Sequence, residues 1–200
     1  ALCARDEDGR TLLHASVSGG QADVWSWLLA QPSVRRDLVN VQDESGWSAL
    51  HVAASTGRVA AVTALLSCGA DANARTEAGT IALHYHKGRV EVLNRLLPAT
   101  RDVNAADEAG NTALHKAAAL GYVDAASTLL AAGASVNAKN KEGNTALHAA
   151  CEGGHVAVAR MLLENGANAR VTNAERKTPD AMCSDRRIAA TLASLLRESI

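Results

Sequence analysis

No phenylalanine occurs in this 200-residue chain, and three Trp with two Tyr are its whole aromatic complement. A thick globular core draws its bulk from aromatics, so their scarcity excludes that kind of core and favours thin layers of small side chains. An excess of charge of one sign is lacking too: 20 Lys+Arg stand against 21 Asp+Glu, a net charge of -1 at pH 7. A global pull toward nucleic acid or an acidic membrane is thereby excluded. No run of about 18 apolar residues is present, so nothing reads as a membrane-spanning helix. The opening residues lack the basic, apolar and small-residue regions of a secretory signal. Cys3, Cys68, Cys151 and Cys183 form no CxxC pair, which points to reduced thiols and a cytoplasmic and nuclear location.

What the chain does have is repetition. GRTLLH (Gly9–His14), GWSALH (Gly46–His51), GTIALH (Gly79–His84) and two copies of GNTALH (Gly110–His115, Gly143–His148) align without gaps, and ERKTPDA (Glu175–Ala181) is a sixth, degenerate copy. Between the first five, successive histidines lie 37, 33, 31 and 33 residues apart. This pattern resembles the ankyrin repeat, a unit of about 33 residues built on T-P-L-H-x-A. The fold class expected is all-α: a solenoid of about six helix-turn-helix units with extended finger loops, filling residues 1–200 as one domain. Helix pairs are expected near 11–29, 48–66, 81–97, 112–130, 145–163 and 178–196. In the second copy, the first helix stops near Gly57, where a positive φ is free of cost. Its second helix carries Val59, Val62, Leu65 and Leu66 as one apolar stripe.

Three departures matter. Four extra residues around Gln31–Val34 read as a longer turn after the second helix of copy one. Copy three is two residues short across His84–Gly88, so either its first helix is clipped or two residues are missing. Ala1 falls inside a finger, and a solenoid needs a polar-faced cap, so an upstream capping repeat is expected. At the other end Arg186, Arg187, Arg197 and Glu198 supply a polar outer face.

Catalytic and metal chemistry find little support. Five histidines (His14, His51, His84, His115, His148) share one motif position and should stand a repeat apart, too far to converge on a metal; bonding to backbone between neighbouring fingers is the preferred reading. His86 and His155 lie outside that position and read as surface-solvated, with Tyr85-His86 as an alternative contact surface. Thr11, Ser48, Thr112, Thr145 and Thr178 read as helix caps rather than nucleophiles, which need a positioned base. Cys68 and Cys151 read as inert. Trp25 and Trp27, two apart on a helix, cannot both face inward; one packs and one is exposed. No cofactor, metal, nucleic acid or membrane is implied, and the chain reads as a monomeric binding protein rather than an enzyme.

The candidate protein-binding residues are surface charges and one aromatic. Fingers carry Asp43-Glu44, Glu77, Asp107-Glu108, Lys139, Lys141 and Glu142. Arg58, Lys87, Arg89 and Lys116 stand at inner-helix ends, with Arg10 and Trp47 at finger-to-helix junctions. The reading is a basic inner surface with acidic tips, suited to a partly acidic partner. Trp47 is the anchor, because an exposed Trp beside Arg has hot-spot character.

GWSALHVAASTGR (Gly46–Arg58), EGNTALHAAC (Glu142–Cys151) and NAERKTPDA (Asn173–Ala181) further resemble a narrower family, the ankyrin-repeat assembly chaperones of the proteasome regulatory particle. The weight rests on non-consensus residues: Trp47, His84-Tyr85 and Glu175–Lys177. The resemblance implies seven repeats and a concave face that holds the C-terminal domain of one proteasomal ATPase subunit, basic side chains meeting acidic ones. Arg10 matches one basic position of that family and Lys87 another, while Trp47 and Arg58 match positions on the same face. The LxCxE motif of some animal members has no counterpart here. A generic ankyrin adaptor, or a kinase-inhibitor-like module, is the alternative.

Overall fold

A computed structural model describes residues 4–183, 189–191 and 193–194, with backbone alone at 35 and 36. The chain forms two compact units, Ala1–Arg101 and Asp102–Ile200. The first contains α1 (Leu12–Gly19), α2 (Ala22–Ala30), α3 (Pro32–Asp37), α4 (Ala49–Thr56), α5 (Val59–Ser67), a 3-10 turn at Ala82–Tyr85 and α6 (Val90–Leu96). The second contains α7 (Ala113–Ala119), α8 (Val123–Ala131), α9 (Ala146–Glu152), α10 (Val156–Glu164) and a 3-10 turn at Pro179–Met182. The class is all-α: among the described residues there are isolated bridges, Arg5 with Thr11 and Gln42 with Ser48, and no strand.

Within each unit the helices form two layers. In the first, α1, α4 and the Ala82–Tyr85 turn pack side by side as an inner layer, while α2, α5 and α6 form the outer one. In the second, α7, α9 and the Pro179–Met182 turn are inner, α8 and α10 outer. Inner helices approach closely because their contact positions are alanines: Ala49, Ala53, Ala54, Ala113, Ala117, Ala118, Ala146 and Ala150 are all sealed. The motif leucines Leu13, Leu50, Leu83, Leu114 and Leu147 are buried between the layers, each worth about 1.5–3 kcal/mol of transfer free energy.

Asparagines close the outer end of each repeat. Asn40 Oδ1 accepts the Asp71 N–H at 2.7 Å while its Nδ2 donates to the Gly69 carbonyl at 3.0 Å. Asn73 does the same with Arg101 and Ala99, and Asn104 and Asn137 repeat the pattern in the second unit. Each satisfies backbone groups that no helix or strand pairs.

Two local findings change the reading of the sequence. The extra residues after α2 do not form a turn but begin α3: Pro32 sits at its first position, where its fixed φ suits a helix, and Val34 and Leu38, four apart, are buried. Copy three is clipped in its first helix. Only Ala82–Tyr85 coils, and the chain then leaves through Lys87 and Gly88, both at positive φ (45° and 76°). His86 is consequently buried rather than solvated, because it stands two residues past the motif histidine, where other copies carry buried Ala53, Ala117 and Ala150. Its Nδ1 accepts the Gly88 N–H. The polar face expected from Arg186, Arg187, Arg197 and Glu198 lies outside the described residues.

Candidate functional site

Each finger is a tight hairpin held by one side-chain acceptor, the Thr76 hydroxyl in the third and a carboxylate or amide in the others. Asp43 Oδ1 accepts the backbone N–H groups of Ser45 (3.1 Å) and Trp47 (2.8 Å). Asp6 serves Asp8 and Arg10, Asp107 serves Asn111, and Asn140 serves Glu142 and Asn144. Neighbouring fingers are then zipped by backbone bonds: Glu44 to Asp8 and Glu77 to Ser45 in the first unit, Lys141 to Ala109 and Ala174 to Glu142 in the second. Tight hairpin turns thus do the work that strands would otherwise do.

The motif histidines tie fingers to inner helices. In the first copy, His14 Nδ1 accepts the Thr11 N–H at 3.2 Å and meets the Thr11 hydroxyl at 2.9 Å. Nδ1 being an acceptor, the proton resides on Nε2, which donates to the Trp47 carbonyl at 3.0 Å. His115 and His148 repeat this with Thr112 and Asn144, and with Thr145 and Lys177. His51 makes the cap with Ser48, but its buried Nε2 faces the Thr80 and Ala74 backbone without hydrogen-bond geometry. Burial holds all four below the ordinary imidazole value, His51 at about 4, against the raising influence of the backbone carbonyls. The ring stays neutral because a proton on Nδ1 would oppose the capped N–H.

Above this floor, in the first unit, lies a groove of about 420 Å³ whose lining includes Arg10, His14, Ser18, Asp43, Trp47 and Val52. Trp47 is half-buried and its ring packs at a tilt of 42° against Tyr85 (centroids 4.5 Å apart), with His51 against both. Thr80 Oγ1 holds the Tyr85 hydroxyl at 2.8 Å. Aromatic pairs of this kind add about 0.5–1.5 kcal/mol beyond their area. The second unit has the same groove in register, about 220 Å³, lined by Asn111, His115, Lys116, Asn140, Asn144 and Glu152 among others.

The charges are arranged otherwise than the sequence implied. Asp43 does not project from a finger tip: its side chain is 4 % exposed and consumed by the turn and by Arg10, whose Nε lies 3.3 Å away. Arg10 is also paired with Asp8 at 3.3 Å, and Lys116 with Asp107 at 3.0 Å. Glu44 is exposed at the tip. Within neither unit is the inner face therefore a basic strip beneath acidic tips; its cations are paired with carboxylates, Arg10 in the first and Lys116 in the second. Arg58 and Arg89 leave this face altogether. Each stands at the residue preceding an outer helix, where Arg58 donates to the Ser18 carbonyl at 2.9 Å. Lys87 occupies the left-handed turn of the clipped copy, exposed. His155, expected in solvent, instead meets the Ala119 carbonyl through Nε2 and packs against Gly121 and Gly153.

Cys151 is sealed, and burial first, then Cys183 and Asp180, pushes its thiol up to about 12. Trp25 packs while Trp27 stays 56 % exposed. Among the described residues no three His, Cys, Asp or Glu side chains gather in a metal-binding group. Sequence reasoning left Tyr85 as an alternative only; its signal is an aromatic at the outward position where other copies carry Ala15, Val52, Lys116 and Ala149.

The folded object is a repeat scaffold offering a lined groove, a protein-binding module. The family model for ankyrin repeats (three copies) matches residues 2–76 and 80–173; the chain belongs to the ankyrin-repeat family, whose repeats mediate protein–protein interaction. Over 85 residues it is 35 % identical to a Saccharomyces cerevisiae protein named Probable 26S proteasome regulatory subunit p28. That stretch is 42 % of this chain and 37 % of the yeast protein, so the likeness spans little more than a third of that relative.

Proposed function

We propose that this chain is an assembly chaperone of the proteasome regulatory particle, of the gankyrin type, working in the cytoplasm and nucleus and holding the C-terminal domain of one ATPase subunit on its finger-and-inner-helix face. The observation that carries the proposal is the similarity to the yeast proteasome regulatory subunit. The groove beside Trp47 and Tyr85 supports it: a half-buried aromatic pair rimmed by polar groups has hot-spot character. Arg10 would contribute by exchanging Asp8, its exposed partner, for a carboxylate of the ATPase domain. Exposed ion pairs are worth about 0–1 kcal/mol, so that exchange costs little.

The test is calorimetric titration of the chain with the isolated C-terminal domain of each proteasomal ATPase subunit. One domain should bind with a dissociation constant of about 1 μM or tighter, and the double change Arg10→Glu, Tyr85→Ala should abolish the heat without loss of helical circular dichroism. No binding by any ATPase domain would refute the chaperone reading and leave a generic ankyrin adaptor.

A further inference from the structure

The cations on the groove faces are already engaged, Arg10 by Asp8 and Asp43 and Lys116 by Asp107. Arg58 and Arg89 are different: among the described residues neither has a carboxylate partner. They share a second groove in the first unit, about 380 Å³, at the turns between inner and outer helices, with Gly20, Gly57, Trp25 and Ala60 in its lining and no acidic residue there. Both side chains lie against glycine backbone. Arg58 lies over Gly20 and Arg89 over Gly57 so closely that a Cβ on either glycine would collide with them, and both glycines hold φ = 70°. Arg58 Nη2 is used by the Ser18 carbonyl, but its Nε is buried without a partner. The aligned positions of the second unit carry Tyr122 and His155, so this pair of like charges belongs to the first unit alone.

We propose that this turn-edge groove docks an acidic peptide segment of a protein partner, its carboxylates pairing with Arg58 and Arg89 and an apolar side chain resting on Trp25 and Ala60. Charge complementarity selects the occupant. Arg89 presents the forked donors that match a carboxylate and Arg58 adds its charge and remaining Nη1 donors, and an overall charge of -1 supplies no general attraction for anions. The apolar floor favours a peptide over a nucleic-acid backbone, which asks for a longer run of cations.

The probe is a fluorescein-labelled peptide of repeated Glu-Asp-Leu, titrated with the full chain at about 100 mM salt, where only short-range pairing survives screening. Anisotropy should report binding that weakens at least about tenfold in Arg89→Glu, with helical circular dichroism unchanged, since Arg89 is exposed. Arg58→Lys, which keeps the charge but loses the Nη1 donors and the Ser18 bond that positions them, should weaken it less. Arg95→Glu, the same charge change on α6, should leave binding intact. Amide shifts should fall at Gly20, Gly57 and Ala60. Any of four results overturns the proposal: no binding, equal affinity in Arg89→Glu, shifts centred on Arg10 and Trp47, or displacement of the peptide by an equal charge of inorganic phosphate.

Discussion

The groove over His14 and the groove over His115 are one construction lined in two ways. Their floors agree bond for bond: a Thr cap, an imidazole accepting at Nδ1, and an Nε2–H reaching the next finger's carbonyl. Their walls differ. Where the first carries Arg10, Asp43 and Trp47, the second carries Asn111, Asn140 and Asn144. The finger turn needs only an acceptor at the Asp43 position, which Asn140 supplies without charge. The positions preceding each cap (Arg10, Trp47) are free to vary, so chemistry enters there. The lesson is that the repeat fixes where a contact residue stands and leaves open what it is.

Acid should have the largest effect and should strike both floors alike. An unfolded imidazole takes up a proton near pH 6.5, while the four buried ones resist until lower pH. Stability is therefore full above that value and lost as pH falls. His51, at about 4, alone accounts for on the order of 2 kcal/mol by pH 5. Urea midpoints at pH 7 and pH 5 measure this, and an unchanged midpoint would falsify the neutral-histidine floor.

Next in size comes the wall. Asp43→Ala strips two N–H groups and Arg10 of their acceptor and should cost about 2 kcal/mol in denaturant unfolding. Asn140→Ala, with no charged partner, should cost about 1 kcal/mol. Asp43→Asn should recover most of the loss; if it is as damaging as alanine, the ion pair and not the turn is what matters at this position.

For binding, Trp47→Ala should weaken the partner complex by about 2 kcal/mol, whereas Asn144→Ala should change it by less than about 0.5 kcal/mol. Titrating both variants against the same ATPase domain decides whether the first groove is the working one. Equal losses would erase the distinction between the two.

The smallest effect concerns the clipped copy beside Trp47. Lys87→Gly relieves a lysine held at φ 45° and should stabilise the fold by about 0.5 kcal/mol, since the gain from an unstrained turn exceeds the added unfolded-chain entropy. A lower melting temperature for that variant would show that the lysine side chain contributes more than its backbone costs.

Much of this was legible in the residues. The period of GWSALH and its cousins announced the family, Gly57 announced the end of α4, and the spacing of Trp25 and Trp27 required one to be exposed. The contact residues were harder to read. Asp43 looked like a projecting charge because its use, capping the N–H groups of Ser45 and Trp47, appears only when the finger closes. Arg58 and Arg89 looked like inner-face cations because position in the repeat does not say that a long side chain will reach back over the glycine of the preceding copy. Pro32 looked like a turn residue, and became the first residue of α3 because Val34 and Leu38 found a core to enter.

The sequence by itself determined the unit: alanines where helices touch, leucines between layers, and in most copies a hydroxyl cap and a histidine at one place. These are local or nearest-neighbour demands, and a repeating pattern states them openly. The tertiary structure decided which charges remain available. Lys116 finds Asp107 within its own repeat, but Arg10 is also met by Asp43, 33 residues on, reaching it across a repeat interface, and that meeting is made by stacking and not by any motif.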